Sequence, residues 1–453
     1  MTANRNGGPA SNDEPSERTS LLGRLNPRSD GPPLYEDERR WVRWPMQTMH
    51  VTMQTLMSNY VNVLLVFVPL GIIAGAVGWN ATAVFVLNFL AIIPLAALLS
   101  FATEELSVKL GETLGGLLNA TFGNAVELIV SVVALKNGEI RIVQSSMLGS
   151  ILSNMLLVLG CCFFFGGRVY HEQKFNTTVA STMSSLMAVA SVSLIIPATL
   201  YAVLRGSDDA VLQNILIVSH GTAIILLILY VLYLVFQLRT HSDLFDDVVK
   251  EEEDAQRAEE GVANAPPTPG ADENANDPDK EEEEHILTPW AAGVALVVVT
   301  VLVAVCAEYL VDSIDTIVQT AHISKTFIGL ILIPIVGNAA EHVTAVVVAM
   351  KDKMDLAIGV AIGSSMQIAL FLTPFLVILG WIIGQPMTLH FQTFETVVFF
   401  LSVLVVNYLI QDGKSNYLEG AMLLGTYIII AIAFYVYPDS PAEIGDLLSQ
   451  AAK

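Results

Sequence analysis

Gly123-Asn124-Ala125-Val126-Glu127-Leu128-Ile129-Val130 returns 214 positions later as Gly337-Asn338-Ala339-Ala340-Glu341-His342-Val343-Thr344. Each copy sits in a run apolar enough to cross a bilayer. A Gly-Ser pair follows each glutamate at the same interval of 22 positions: Gly149-Ser150 after Glu127 and Gly363-Ser364 after Glu341. A carboxylate in hydrocarbon is costly unless it is paired or hydrated, so a glutamate there marks function. Two such acids at matching positions of a duplicated chain read as one site contributed by two halves.

The rest of the chain agrees with a membrane setting. Hydrophobic residues make up 53% of it and charged residues only 15%; the mean hydropathy is +0.58. These values exclude an ordinary soluble protein. Eleven stretches are long enough to span: 60–79, 81–102, 113–135, 143–165, 178–204, 211–236, 289–311, 326–350, 356–380, 389–411 and 417–437. Each reaches the roughly 17–25 residues that a spanning helix needs. They are rich in Gly, Ala, Ser and Thr, which lets membrane helices pack closely. The two-residue alternation of barrel strands is absent.

The net charge of −22 is concentrated. Residues 241–285 hold 17 acidic against 3 basic side chains, a net of −14, together with Pro266-Pro267 and Pro269-Gly270. Such a composition predicts a disordered acidic linker, either a solvated spacer or a cation-concentrating mouth. It divides the spans into six and five. The three cysteines, Cys161, Cys162 and Cys306, all fall in apolar stretches and serve as small core residues. They give no disulfide or zinc framework.

Residues 1–57 are expected to form a disordered cytosolic tail, and the polar, Pro/Ser/Asp-rich composition of 1–40 predicts no cleavable leader. Within it, Glu17-Arg18-Thr19-Ser20-Leu21-Leu22 matches an acidic dileucine signal, which a cytosolic sorting adaptor would read. Trp41 and Trp44, set among Arg39, Arg40 and Arg43, suit an interfacial anchor. With the N-terminus cytosolic, ten Lys and Arg flank the spans on the cytosolic side and five on the other. The positive-inside bias therefore favours a cytosolic N-terminus and, after eleven crossings, a lumenal C-terminus. Stretches 2–6 and 7–11 form two sets of five. Five is odd, so the second set crosses in the opposite sense, and antiparallel repeats place a shared site near the midplane. Ala102-Thr103-Glu104-Glu105-Leu106 and Cys306-Ala307-Glu308-Tyr309-Leu310 end corresponding spans, which makes Glu104, Glu105 and Glu308 candidate accessory acids.

Gly-Asn is a poor helix interior. Gly weakens a helix by roughly 1 kcal/mol relative to Ala, and Asn competes for backbone hydrogen bonds. A break is expected at each copy, reinforced in the second by Pro334. Unwound carbonyls at membrane depth require something polar to bind. Each Glu follows its Asn by three residues, so amide and carboxylate share a face. Ser131 and Thr344 are expected to extend that face by a turn. Glu127, Glu341, Asn124, Asn338 and the main chain at Gly123 and Gly337 are hard oxygen donors suited to Ca²⁺. Ser150, Ser364, Asn154 and Gln367 add polar groups at mid-span. His342 should pack rather than ligate, and Glu395 and His220 have no assigned role. Without a His-Glu-x-x-His cluster, the chain is expected not to be an enzyme.

These two motifs, with their downstream Gly-Ser pairs, resemble the alpha-repeat signatures of the cation/proton exchanger (CAX) family. That family belongs to the cation/Ca²⁺ exchanger superfamily, and the chain looks like its fungal vacuolar Ca²⁺/H⁺ exchangers. The resemblance spans about residues 55–440. It implies an all-α polytopic membrane protein of 11 transmembrane helices, with one extra N-terminal helix (58–80) plus two inverted five-helix repeats (81–238 and 287–438). An acidic cytosolic linker (239–286) joins the repeats, and a tail (439–453) ends the chain. It also implies a secondary antiporter that moves Ca²⁺ from cytosol into the acidic vacuole in exchange for H⁺. Glu127 and Glu341 would then bind Ca²⁺ and protons in turn. Mn²⁺ is an alternative cargo. No cofactor is expected. The partners implied are membrane lipid, a proton-pumping ATPase as energy source and another copy in a homo-oligomer; nucleic acid is not among them. A Na⁺(K⁺)/Ca²⁺-type exchanger and a Ca²⁺-selective channel are the competing readings.

Overall fold

The computed structural model describes residues 60–110, 112–204, 209–241, 244 and 289–437. The dileucine signal, Trp41, Trp44, nearly all of the acidic linker and the C-terminal tail lie outside these residues. What is described is overwhelmingly helical, with seven helices long and apolar enough to cross a membrane.

A 3-10 segment (Tyr60–Val66) leads into α1 (Phe67–Val77), which ends on Gly78 in the left-handed region at φ 74°. Then come α2 (Ala81–Leu110), α3 (Glu112–Phe122), α4 (Ala125–Lys136), α5 (Ile140–Leu152), α6 (Leu159–Val169), α7 (Thr177–Leu204) and α8 (Asp209–Val235). The later part holds α9 (Pro289–Ala321), α10 (Lys325–Phe327), α11 (Ile333–Gly337), α12 (Ala339–Met350) and α13 (Met354–Gln367). It closes with α14 (Thr373–Ile383), α15 (Thr393–Leu409) and α16 (Tyr417–Tyr435). Helix therefore occupies all eleven expected stretches. The expected count of eleven spans is not reproduced by length and composition alone. Residues 61–77 and α15 are short apolar helices, and 113–135 is split into α3 and α4. Residues 325–350 form a pair bent by 59°.

Both Gly-Asn sites break their helices as expected. α3 stops at Phe122 and α4 starts at Ala125; α11 stops at Gly337 and α12 starts at Ala339. The π-helical turns at Ser153–Val158, Ile328–Leu332 and Ile368–Leu372 were not expected. Two of them run directly into helices that carry proline in the first turn, Pro334 and Pro374. A proline has no N–H for the carbonyl four residues back and its ring crowds that carbonyl; a wider turn relieves the crowding.

The halves interleave rather than sit side by side. α2 packs along α9, α6 against α16, α7 against α15, and α8 against α14. Close approach depends on glycine. A Cβ on Gly149 of α5 would strike the Leu330 carbonyl, the group that Pro334 leaves without its helical donor. Gly149→Ala is expected to cost about 1–3 kcal/mol through overpacking. Gly363→Ala, whose Cβ would meet only Met183 Cε at 4.0 Å, should be nearly neutral. Thermal unfolding in detergent separates the two.

Polar contacts gather at two ends of the bundle. At one end Arg141 holds Glu395 and Thr326, Lys325 holds Glu139 at 2.9 Å, and Asn137 donates to Asp312 at 3.0 Å. At the other, β1 (Gln173–Lys174) pairs antiparallel with β2 (Lys414–Ser415). There Lys414 meets Glu172 at 2.9 Å, and Gln173 donates to Asp352 at 2.9 Å. Between the ends, large apolar side chains such as Ile217, Val231, Ile382 and Ile429 are exposed on the outer surface, as lipid contact requires.

Candidate cation site

Glu127 and Glu341 both stand in the first turn of a helix that starts at a break, α4 and α12. A helix N-terminus carries partial positive charge, which favours a carboxylate there by about 0.3–1 kcal/mol. Asparagine at such a position normally caps the helix with its side chain. Neither Asn124 nor Asn338 does so. The Asn124 amide is used instead for contacts between the two halves.

Those contacts form one chain. Asn124 Nδ2 donates to Gln367 Oε1 at 2.9 Å. Ser364 Oγ donates to Asn124 Oδ1 at 2.8 Å, and Asn154 Nδ2 donates to Ser364 Oγ at 3.1 Å. Four residues selected from the sequence for polarity at mid-span are thus joined across separations of 210 to 243 positions. The two motifs also touch. A Cβ on Gly337 would lie 3.2 Å from Glu127 Oε1, so the second Gly-Asn rests on the first glutamate. Glu127 is 6% exposed. Glu341 is half-buried.

Several buried polar atoms here lack hydrogen-bond partners among the described residues: Glu127 Oε1, Ser131 Oγ and Asn338 Nδ2. Buried polar groups are nearly always satisfied, so a cluster of unsatisfied ones points to water or an ion. No group of three His, Cys, Asp or Glu comes together among the described residues. The donor set here is accordingly two carboxylates with neutral amide and hydroxyl oxygens. That combination suits a hard cation.

The site is lopsided. Ser150 is buried and lines a cavity beside Glu127, whereas its counterpart Ser364 belongs to the amide chain. Gly123 packs on the Asn119 carbonyl. Thr344 corrects an expectation: it is exposed, so the second copy gains no hydroxyl one turn beyond its glutamate. Glu308 corrects another. It is 53% exposed and pairs with Lys136 at 3.8 Å, at an end of the bundle rather than in the central network. Glu105 is buried and Glu104 half-buried near the C-terminal end of α2. His342 is half-buried, and its Nε2 has no hydrogen-bond partner among the described residues. Two residues without an assigned role now have one: Glu395 pairs with Arg141 and closes a capping box on α15, and His220 stacks on Trp381. Ser146 was overlooked. It lines the Glu127 cavity, and its signal was a hydroxyl one helical turn before Ser150.

Comparison with known proteins agrees with this geometry. The sodium/calcium exchanger protein family matches residues 80–239 and 291–436. A vacuolar calcium ion transporter of Schizosaccharomyces pombe is 54% identical over 87% of this chain and 89% of its own length. A Ca²⁺/H⁺ antiporter of Synechocystis sp. is 46% identical over 83% of this chain and 97% of its own. The solved structure of native YfkE superposes with a TM-score of 0.67 at 35% identity, over 84% of this chain and 100% of that one. A match that takes in both copies of the motif, together with relatives aligned over most of their length, shows that the chain belongs to the sodium/calcium exchanger family.

Proposed function

We propose that this chain is a Ca²⁺/H⁺ antiporter of a vacuolar membrane, loading Ca²⁺ from the cytosol into an acidic lumen. The observation that carries this reading is the contact between the two copies of the motif: the buried Glu127 of the first lies against Gly337 of the second, four residues before the half-buried Glu341, beside unsatisfied oxygens and an amide chain that crosses between the halves. The names of the relatives, vacuolar calcium ion transporter and Ca²⁺/H⁺ antiporter, support the same cargo.

Metal and protons compete for the same two carboxylates. Facing an acidic lumen, Glu127 and Glu341 take up protons and release the divalent ion. Facing a near-neutral cytosol they lose the protons and bind Ca²⁺. The empty, doubly charged site crosses poorly because unpaired carboxylates are costly in hydrocarbon. That penalty couples the two fluxes. The Asn124–Ser364–Gln367 chain holds the halves in register while Glu127 and Glu341 exchange cargo.

The architecture we infer is eleven crossings with two inverted five-helix repeats. Its support is parity. Residues 137–141, 312–326 and 388–395 meet at one end of the bundle, and 172–176, 349–355 and 412–415 at the other. Alternating crossings by every one of the expected spans from the fourth to the tenth produce that pattern. The packing is also symmetric under exchange of the halves: α6 with α16 corresponds to α14 with α8, while α2 with α9 and α7 with α15 map onto themselves. Arg168, Lys174, Lys351, Lys353 and Lys414 lie at the second end, which we assign to the cytosol by the positive-inside rule.

The deciding experiment is Ca²⁺ uptake by the purified full chain in proteoliposomes. An acid-inside gradient should drive concentrative uptake that collapses when the gradient is dissipated. A Na⁺ gradient alone should drive little. Uptake driven by Na⁺ and indifferent to pH would replace the proposal with a Na⁺/Ca²⁺ exchanger.

A further inference from the structure

Residues 385–392, between α14 and α15, run outside helix and bury every second side chain. Met387, Leu389 and Phe391 are at most 1% exposed, while Thr388 and His390 between them are half-buried. A period of two is that of extended chain. The segment fills the end of the bundle that carries Glu139, Arg141 and Lys325, and three elements fasten it there. Gln144 Nε2 of α5 donates to the Thr388 carbonyl at 3.0 Å and to the His390 carbonyl at 3.1 Å. The Leu389 N–H donates to Ser219 Oγ of α8 at 3.0 Å. The Gln392 N–H donates to Glu395 Oε2 of α15, which also accepts from Arg141.

The first half has a counterpart. Residues 171–178 stand 214 positions earlier and link α6 to α7 at the opposite end, where Gln173 and Phe175 are buried. Gly380 packs on Met387 as Gly166 packs on Gln173. The chemistry differs at one place. Asn176 holds the position of His390 and Asp355 that of Arg141, and the Asn176 N–H donates to Asp355 Oδ1 at 2.6 Å. At the other end this attraction is replaced by a histidine fixed one helical turn from an arginine, because Gln144 follows Arg141 by three positions on α5. The Tyr201 ring of α7 covers the imidazole, with centroids 4.2 Å apart. The other charged or titratable groups at this end, among the described residues, are Glu139 before α5, His220 of α8, Lys325 of α10 and Glu395 of α15; α14 brings none.

We propose that residues 385–392 seal the lumenal end and that a proton on His390 releases the seal. The switch rests on the antiport reading only in that this end faces an acidic lumen. A histidine changes charge between about pH 5 and 8. The nearby carboxylates are already engaged, Glu395 by Arg141 and Glu139 by Lys325. A new cation on the segment therefore finds no free counter-ion, and the Tyr201 ring keeps water from one of its faces. The closed arrangement binds the proton less readily than a released segment in water does. Lowering the pH accordingly shifts the population toward release. Asn176 gives the cytosolic segment no such response.

Hydrogen–deuterium exchange of the purified full chain tests this. Relative to the chemical rate, exchange in residues 387–392 should be about ten-fold faster at about pH 5.5 than at about pH 7.5, the change that a one-unit difference in pKa between the two arrangements gives. Exchange in residues 173–178 should stay the same. His390→Asn supplies the residue of the other end and should remove the acceleration; His390→Gln takes its place if that variant does not fold. Equal protection of 387–392 at both pH values overturns the proposal. So does an acceleration that survives in the variant, which would place the sensor elsewhere. The measurement needs no transport. If acid-driven Ca²⁺ uptake fails while release is seen, the antiport reading falls and the switch stands; uptake without release gives the reverse.

Discussion

Glu127→Gln and Glu341→Gln should each abolish acid-driven Ca²⁺ uptake while leaving the protein folded. Glutamine keeps the volume and one oxygen of the carboxylate, so packing at α4 and α12 is preserved. What it removes is the charge that attracts the metal and the proton that is exchanged for it. Partners that only orient a ligand typically contribute 10–100-fold to metal affinity, so loss of a carboxylate should lower uptake by about 100-fold or more. Stability should move the other way. Glu127 Oε1 is buried without a hydrogen-bond partner among the described residues, and an unsatisfied buried charge disfavours the folded state. Glu127→Gln is therefore expected to melt at the same temperature as the wild type or higher. An inactive but unfolded variant would say nothing about the site; an active one at the native rate would sink the two-carboxylate scheme.

How much of this was legible beforehand follows from which physics is local. The apolar stretches could be read because bilayer thickness fixes their length. The breaks at Gly123-Asn124 and Gly337-Asn338 could be read because two poor helix formers stand together in an apolar run. Asn124, Asn154, Ser364 and Gln367 were legible as candidates, since polar residues at membrane depth are rare, but not as partners of one another. Their pairing depends on how helices far apart in sequence come together. Thr344 was misread for a simpler reason. A helix turns about 100° per residue, so positions three and four after a glutamate fall on opposite sides of it. Spacing alone does not tell which side faces the site: Ser131 turns inward and Thr344 outward. The π-helical turns before Pro334 and Pro374 were not legible, because proline signals a break without specifying the geometry that absorbs it.

Arg141→Met should destabilise the protein strongly, although it lies outside the central site. Glu395 is 0% exposed and pairs with Arg141, which is 23% exposed. Arg141 Nη1 donates to Glu395 Oε2 at 3.0 Å, and Nη2 reaches both Glu395 Oε1 and Thr326 Oγ1. Glu395 Oε2 also accepts from the Gln392 N–H at 3.1 Å. The pair thereby fastens α5 to α10 and α15, which come from opposite halves of the chain. Neither charge was visible as a pair in the sequence, because the two lie 254 positions apart. Truncating one member of a buried ion pair leaves the other uncompensated and typically costs about 3–5 kcal/mol. Arg141→Met should accordingly lower the melting temperature clearly. Adding Glu395→Gln to it should restore much of the loss, since the stranded charge disappears while the amide can still cap α15. Lys136→Met is the control. Its pair with Glu308 is 71% and 53% exposed, and such pairs contribute about 0–1 kcal/mol. Recovery in the double variant would assign the cost to the unpaired carboxylate. If Arg141→Met alone melts like the wild type, the two halves are held at that end by packing, and the ion pair is incidental.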